Sequence, residues 1–353
     1  TTTAVTGGIS NRDSPNRAGL ATAETEARKI AENAKGSFID TETNLRQNPS
    51  DEVAQAEVSN LLNKLELEVE ELFNTHSDPE AGKIASKVLN RELHPYLVRS
   101  SLAERCIRRS QVSGTAEILA HVLVDTAGGD GQLGEILDRW LLNRPTLRAI
   151  RTFPQSVVEL VRDALPTHRN RRVLLLNAGT GSLVAALFPE IATHPTVLTV
   201  VDQSREALAF LDSGVTYRPR AVDLQTVQEN LAQFAMGRYR HEFPRQDVVI
   251  LHGLLEYLPD RIAVSLFSVA RKLLSREGTV VASALSTSRD GVLLDRLLMW
   301  PTIRRSREGF RNIVKASGLV PLDDIELGSP ALLLAASHGP GAIPEPSSRA
   351  ATV

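Results

Sequence analysis

The chain predicts an α/β fold: a doubly wound, mainly parallel sheet that ends in an antiparallel hairpin and is preceded by an all-helical region. Three observations predict it. From Arg171 to Ser337, short apolar runs alternate with helical patterns, the order expected of a parallel sheet covered on both faces. Within that stretch, the run Val173–Leu176 opens into the glycine-bearing turn Asn177-Ala178-Gly179-Thr180-Gly181-Ser182, and the next run, Val197–Val201, ends on Asp202. Ahead of it, Val58, Leu61, Leu62, Leu65, Val69, Leu72 and Phe73 recur at helical spacing with Glu and Lys opposite.

Taken in order, residues 1–19 are rich in Thr, Ser, Gly, Asn and Pro and read as a disordered tail. Helices follow at 21–33, around the stripe from Val58 to Phe73, and at 78–89, 95–110, 116–126 and 132–142. Arg144-Pro145 then punctuates the chain before a linker helix over 155–164. The apolar stripe needs a cover, and neighbouring helices of the same region are the simplest one. A coiled-coil homodimer is the alternative, although Leu67 breaks the heptads.

Strands are expected at 173–176, 197–201, a short 220–222, 248–251, 279–284 and 331–336, with helices at 205–211, 224–234, 261–274 and 307–317. Asp260 is the expected N-cap of the third of these helices and Gly278 its stop. Pro321–Leu327 and the last strand are joined through Gly328-Ser329-Pro330 with no room for a helix, so they pair antiparallel. This gives a helical domain over 20–150, a sheet domain over 151–338, and a flexible tail with three prolines over 339–353.

The glycine turn sits where such a sheet binds ligands, at the carboxyl ends of its strands. Gly179 and Gly181 let backbone approach a cofactor, because glycine has no Cβ in the way. A pyrophosphate-binding G-x-G-x-x-G requires a third glycine where this chain has Val184. The turn remains compatible with a sulfonium amino acid joined to adenosine, which has no phosphate. Asp202 lies about twenty residues beyond Gly181, the interval at which a carboxylate grips a ribose diol. It could instead cap the helix starting near Gln203.

These residues resemble the class I S-adenosylmethionine-dependent methyltransferases, whose first motif reads D/E-x-G-x-G-x-G. The resemblance covers Arg171 to Ser337. It aligns Asn177 with the acid near the cofactor amine, Gly179 and Gly181 with the first two glycines, and Leu183 with the third. It implies a Rossmann-like seven-stranded sheet and S-adenosylmethionine as cofactor. The implied contacts are the turn Asn177, Ala178, Gly179, Thr180 and Gly181, then Asp202 and Gln203 at the ribose, Asp223 and Leu224 at the adenine, and His252 through its backbone. More narrowly, Asp247-Val248-Val249-Ile250-Leu251-His252-Gly253-Leu254-Leu255-Glu256-Tyr257-Leu258 is similar to a bacterial subgroup that makes 3-hydroxypalmitic acid methyl ester. That subgroup also has a helical N-terminal region, which the stretch from Leu133 to Arg151 resembles. Its G-Y-A-G-D-Y motif is replaced here around Ser113–Leu119.

His252 and Glu256, four residues apart after the fourth strand, would face one another on a helical turn and share a proton, making His252 a general base. A carboxylate acceptor would need no base, since its pKa lies near 4. Tyr257 is a candidate for lining the acceptor pocket or for core packing. Arg304-Arg305-Ser306-Arg307, beyond the fifth strand, is a candidate binder of a carboxylate or phosphate, whereas His168–Arg172 reads as a solvated edge.

Composition bounds the rest. With 353 residues, 42% of them hydrophobic, the chain can bury two cores. Forty Lys and Arg against 42 Asp and Glu leave a net charge of −2, without the basic surplus of a nucleic-acid groove. The single cysteine, Cys106, rules out an intrachain disulfide and a thiolate metal cluster, and no H-E-x-x-H, P-loop or G-x-S-x-G motif is present. No membrane span or signal pattern is visible, so a cytoplasmic protein is expected. The reading is O-methylation of a small molecule, at a carboxylate or hydroxyl of a hydroxy-fatty-acid-like compound or specialised metabolite. N- or C-methylation and a catalytically silent cofactor-binding partner protein are the alternatives.

Overall fold

A computed structural model describes residues 17–47, 52–108, 116–167, 170–215, 217–326 and 330–338. The expected tails over 1–16 and 339–353, the turn 327–329, and parts of the His168–Arg172 and Ser113–Leu119 segments lie outside these residues. The helices are α1 (Arg17–Gln47), α2 (Glu52–Thr75), α3 (Pro79–Leu97), α4 (Ser101–Arg108), α5 (Ala116–Val124), α6 (Gly131–Leu142) and α7 (Pro145–Ala164). There follow β1 (Arg171–Leu176), α8 (Ser182–Ile191), β2 (Thr196–Asp202), α9 (Arg205–Gly214), β3 (Val222–Gln228), α10 (Leu231–Ala235), β4 (Gln246–Leu251), α11 (Asp260–Leu273), β5 (Leu274–Leu285), α12 (Asp290–Arg296), α13 (Arg307–Ala316), β6 (Val320–Glu326) and β7 (Ala331–Ser337).

Two compact units emerge. The first, spanning 17–107, 128–138 and 292–299, is helical; the second, spanning 108–127, 139–291 and 300–338, holds the sheet. In the helical unit, α1 buries Ala23, Ala27, Ala31, Ala34, Phe38, Thr41 and Leu45, spaced three or four apart along one face. Phe38 stacks on Tyr96 of α3 with ring centroids 5.3 Å apart. The α2 stripe is buried at Val58, Leu62, Leu65, Val69 and Leu72, and α2 packs on α1, so a neighbouring helix of the same chain supplies the cover. Leu67 is exposed.

Helix boundaries differ from expectation at the prolines. Asp78 caps α3 by accepting from the amides of Glu80 and Ala81, and the helix then continues through Pro95 to Leu97 before α4 begins. Helix α7 starts at Pro145, ten residues earlier than expected. Proline is tolerated at the first helical position, where its missing N–H costs nothing.

The sheet has the order β3-β2-β1-β4-β5-β7-β6. Strands β1 to β5 are parallel, and β7 pairs antiparallel with both β5 and β6. This is a Rossmann-like seven-stranded sheet closed by a terminal antiparallel hairpin. β1 and β4 are buried almost throughout because helices cover both faces, as parallel sheets require. One face packs Val173, Leu175, Leu198 and Val200 against α7, α8 and α9. The other packs Leu174, Leu176, Val249 and Leu251 against α10, α11 and α13.

Three local expectations are corrected. The expected helix over 224–234 is strand β3 followed by the short α10, because β3 is an edge strand whose exposed Asp223, Gln225 and Thr226 blur any apolar alternation. Asp260 is the first residue of α11, not its cap, and the capping position, Pro259, supplies no side-chain bond. α11 ends at Leu273 and β5 begins at once. Gly278 lies within β5, where an added Cβ would stand 2.7 Å from the Gln246 carbonyl at a register shift between β4 and β5. No described helix is long and apolar enough to cross a membrane.

Candidate active site

The carboxyl ends of β1, β2 and β4 converge at the glycine turn. Asn177, Gly179 and Gly181 have φ of 82°, 54° and 75°, a left-handed path that glycine takes freely and asparagine tolerates. A Cβ on Gly181 would press on Leu211 at 3.0 Å, so that glycine serves packing. One on Gly179 would meet nothing within 4 Å. The Gly179 backbone therefore faces open space. Thr180 donates its hydroxyl to Ser182 Oγ at 2.9 Å and holds the turn locally.

Asp202 is 4% exposed. Its Oδ2 accepts from the amide of Ala178 at 2.8 Å and its Oδ1 from the amide of Ser204 at 2.8 Å. Ser204, not Asp202, caps α9, its hydroxyl accepting from the amide of Ala207. The carboxylate thus ties the glycine turn to the end of β2, and each oxygen keeps a second acceptor position. Gln203 is exposed, and its carbonyl accepts from Gln228 Nε2 at 3.2 Å.

Asn177 explains its own departure from the acidic pattern. Its Nδ2 donates to the carbonyls of His252 at 3.2 Å and Gly253 at 3.1 Å, bridging β1 to the end of β4. A carboxylate would bring only acceptors to those two carbonyls. Oδ1 is left as an acceptor.

Asp223 and Leu224 do not join this edge. β3 starts at Val222 and pairs Asp223 with Val197, so both residues stand at its amino end, and Asp223 is bound to Gln225 Nε2 at 2.7 Å. The residues at the carboxyl end of β3 are Gln228, Glu229 and Asn230. Glu229 is buried, its Oε1 accepting from the amides of Arg240 and His241 at 2.8 and 3.0 Å. Sequence reasoning missed them because it ended the strand at Val222.

The expected His252–Glu256 pair is not made. Gly253 turns the chain at φ 64°, and Leu255–Tyr257 form a single tight 3-10 turn, so the two side chains lack the spacing of a regular helix. The His252 Nδ1 lies 2.8 Å from Ser283 Oγ on β5, and the ring meets Phe153 edge-on. Burial pushes its pKa down to about 4. Tyr257 Oη accepts from Trp300 Nε1 at 3.1 Å.

Glu256 is 5% exposed, and its Oε2 is buried with no hydrogen-bond partner. Burial pushes its carboxyl up to about 7, against opposing pulls from its own backbone amide and from Arg305 and Arg304. Arg305 is spent on structure: it donates to Asp260 Oδ1 at 2.9 Å and to the carbonyls of Leu255 and Leu258, holding the turn that carries Glu256. Arg304 differs. Its Nη1 donates to Thr146 Oγ1 at 2.9 Å and Ser288 Oγ at 2.8 Å, hydroxyls that in turn donate to the fully buried Asp290, while Nε and Nη2 are buried without partners. No cluster of three or more potential metal ligands occurs among the described residues.

No family model matches the chain, and no curated protein does. Among solved structures it is similar to a possible exported protein from Bordetella parapertussis, with 16% identity over 91% of this chain and 96% of that one and a TM-score of 0.52. Magnesium protoporphyrin IX methyltransferase from Synechocystis PCC 6803, with bound S-adenosylhomocysteine, gives 16% identity over 66% and 98% and a TM-score of 0.46. The N-methyltransferase NodS from Bradyrhizobium japonicum WM9 gives 12% over 54% and 97%, with a TM-score of 0.40. At these identities the likeness is one of fold.

Proposed function

We propose that the chain is an S-adenosylmethionine-dependent methyltransferase acting on a small molecule at an oxygen atom. The observation that carries this reading is the open space over the left-handed Gly179 turn, flanked by Asp202 and Asn177 at the carboxyl edge of the sheet. The residues present fit the cofactor. Asp202, already oriented by two backbone amides, would take the ribose diol with its remaining acceptor positions, each charge-assisted bond contributing about 1.5–3 kcal/mol. Asn177 Oδ1 would accept from the amino group of the methionine part. Gln228, Glu229 and Asn230, rather than Asp223 and Leu224, lie at the strand end nearest Asp202, on the adenine side. Glu229 N donates to the Asp202 carbonyl at 3.0 Å, which fixes that junction.

Bound there, S-adenosylmethionine would supply a methyl group carried on a sulfonium, with sulfur as the leaving atom that keeps the carbon–sulfur electron pair. What this chain contributes is alignment and the exclusion of water, and alignment alone can lower a barrier by several kcal/mol. Neutral His252 can hold a hydrogen bond but is poorly suited to take a proton, whereas Glu256 titrates near neutrality.

Calorimetry with S-adenosylmethionine and S-adenosylhomocysteine tests the cofactor, and a tritium-transfer screen over hydroxy acids, amines and aromatic metabolites tests the reaction. Loss of binding in Asp202→Ala with the fold retained is the expected result. Transfer only to nitrogen would overturn the oxygen preference. Tight binding with no transfer would return a cofactor-binding partner protein, and no binding would end the reading.

A further inference from the structure

We propose that Ser283, on β5, is a positioning residue that fixes His252 in the tautomer with its proton on Nε2, so that the ring offers a hydrogen-bond donor, and not a base, to an oxygen of the methyl acceptor. The tautomer stands on geometry alone; the role toward an acceptor rests on the methyl-transfer reading and deepens it. Ser283 is fully buried. Its Oγ has two hydrogen-bonding neighbours among the described residues, the Gly253 amide at 3.5 Å and His252 Nδ1 at 2.8 Å. The amide can only donate, so it takes an acceptor position of the hydroxyl. Were Nδ1 protonated it would donate as well, and the hydroxyl proton would be left buried with no acceptor. An unmade buried hydrogen bond disfavours that arrangement by about 5- to 100-fold. The hydroxyl therefore donates to a bare Nδ1, and the one proton of the neutral ring sits on Nε2.

The same contacts hold the ring in place. Nδ1 is tied to β5, Phe153 of α7 meets the ring edge-on with centroids 5.7 Å apart, and Asn177 Nδ2 holds the His252 carbonyl at 3.2 Å. Backbone and imidazole are thus fixed from three elements at the carboxyl end of β4, and Asn177 itself begins the turn in which Gly179 faces open space. His252 is only partly buried, and Nε2 is its one side-chain polar atom without a partner among the described residues. An N–H at that place is completed by a lone pair on oxygen and is opposed by an ammonium group, which brings only donors. The donor therefore favours an oxygen acceptor over a protonated amine, by repelling the second as much as by binding the first.

The test is a long-range proton–nitrogen NMR correlation through the imidazole carbons of the nitrogen-15-labelled full chain at pH 7, with the His252 signals identified by their loss in His252→Asn. The expected result for the parent is a bare Nδ1 and a protonated Nε2. Ser283→Ala should let a form protonated on Nδ1 appear, because no donor then opposes a proton there, whereas Ser283→Thr, which keeps the hydroxyl, should retain the parent tautomer. The parent spectrum decides the tautomer without any variant, which covers a Ser283→Ala chain that fails to fold. Adding S-adenosylhomocysteine should move the Nε2 signal, and exchanging it for sinefungin, whose amine projects where the methyl group would lie, should move it further. A parent ring protonated on Nδ1 overturns the proposal, and so does a Ser283→Ala spectrum identical to the parent. S-adenosylhomocysteine that binds by calorimetry while neither ligand moves the His252 signals also overturns it. A chain that shows the expected tautomer and its dependence on Ser283 but binds neither ligand would sink the methyl-transfer reading, and leave the Ser283–His252 pairing standing.

Discussion

His252 and Glu256 make opposite demands on pH, and their separation can be measured. Burial holds the Glu256 carboxyl up at about 7 from an ordinary 4.5, and holds the His252 imidazole down at about 4 from 6.5. For the glutamate, the unfolded chain releases its proton first as pH rises. Its contribution is therefore intact below about 4.5, falls between 4.5 and 7, and is fully lost above. For the histidine, the unfolded chain takes up its proton first as pH falls, so its contribution is present above 6.5 and is lost on descending to about 4. Each span is roughly 2.5 pH units, worth about 3 kcal/mol at about 1.4 kcal/mol per unit. In the parent chain the two slopes nearly cancel between pH 4.5 and 6.5. Glu256→Gln, which mimics the neutral acid, should gain stability relative to the parent from about pH 4.5 to about 7, by about 3 kcal/mol in all, and hold that gain at pH 8. His252→Asn should show the mirror image, gaining toward pH 4.5. Urea denaturation followed by Trp140 and Trp300 fluorescence at half-unit pH steps reads both differences, and groups common to parent and variant drop out. Curves for Glu256→Gln that run parallel to the parent, separated by a constant offset, would refute a buried carboxyl with a raised pKa.

Two further outcomes follow from the glycine turn. Asn177→Asp, which introduces the acid of the motif this turn resembles, should destabilise the fold by about 2–4 kcal/mol in denaturant titrations, since two carbonyls would lose their donor and face a carboxylate. An unchanged midpoint with tighter S-adenosylhomocysteine binding would contradict this. Gly179→Ala should cost only the strain of its positive φ, about 1–2 kcal/mol, because its Cβ meets no neighbour. S-adenosylhomocysteine affinity should nevertheless fall by more than about tenfold, because the methyl enters the space assigned to the cofactor. Equal and small losses in both measurements would place the cofactor elsewhere.

The parts of this fold readable from sequence were those under strong local constraint. Strands β1, β2 and β4 are continuous apolar runs because both their faces are covered, and the turn after β1 declares itself through glycines at positive φ. The terminal hairpin was legible from a connection too short for a helix. β3 was not, because an edge strand with one solvated face and polar residues at four of its seven positions has neither an apolar run nor an alternation. Because of that single miss, Asp223 and Leu224 were expected at the carboxyl end of the strand, whereas they stand at its amino end. The Arg304 cluster was visible only as charge. Its division of labour, with Arg305 clamping a loop and Arg304 fixed through Nη1, depends on Thr146 and Asp290, 144 positions apart in the chain, which no local pattern connects.

The position of β7 between β5 and β6 has a consequence for synthesis. The ribosome delivers β5 long before β7, and β6 arrives with no place in the sheet until the strand that follows it has been made. Until Ala331–Ser337 emerge, β5 presents an unpaired edge of apolar residues, the kind of surface that recruits strands from other chains. The closing seven-residue strand therefore acts as the latch of the whole sheet. A stop codon placed just after α13 should yield an aggregating product even though every residue of the glycine turn, and Asp202 and Glu256, is already present.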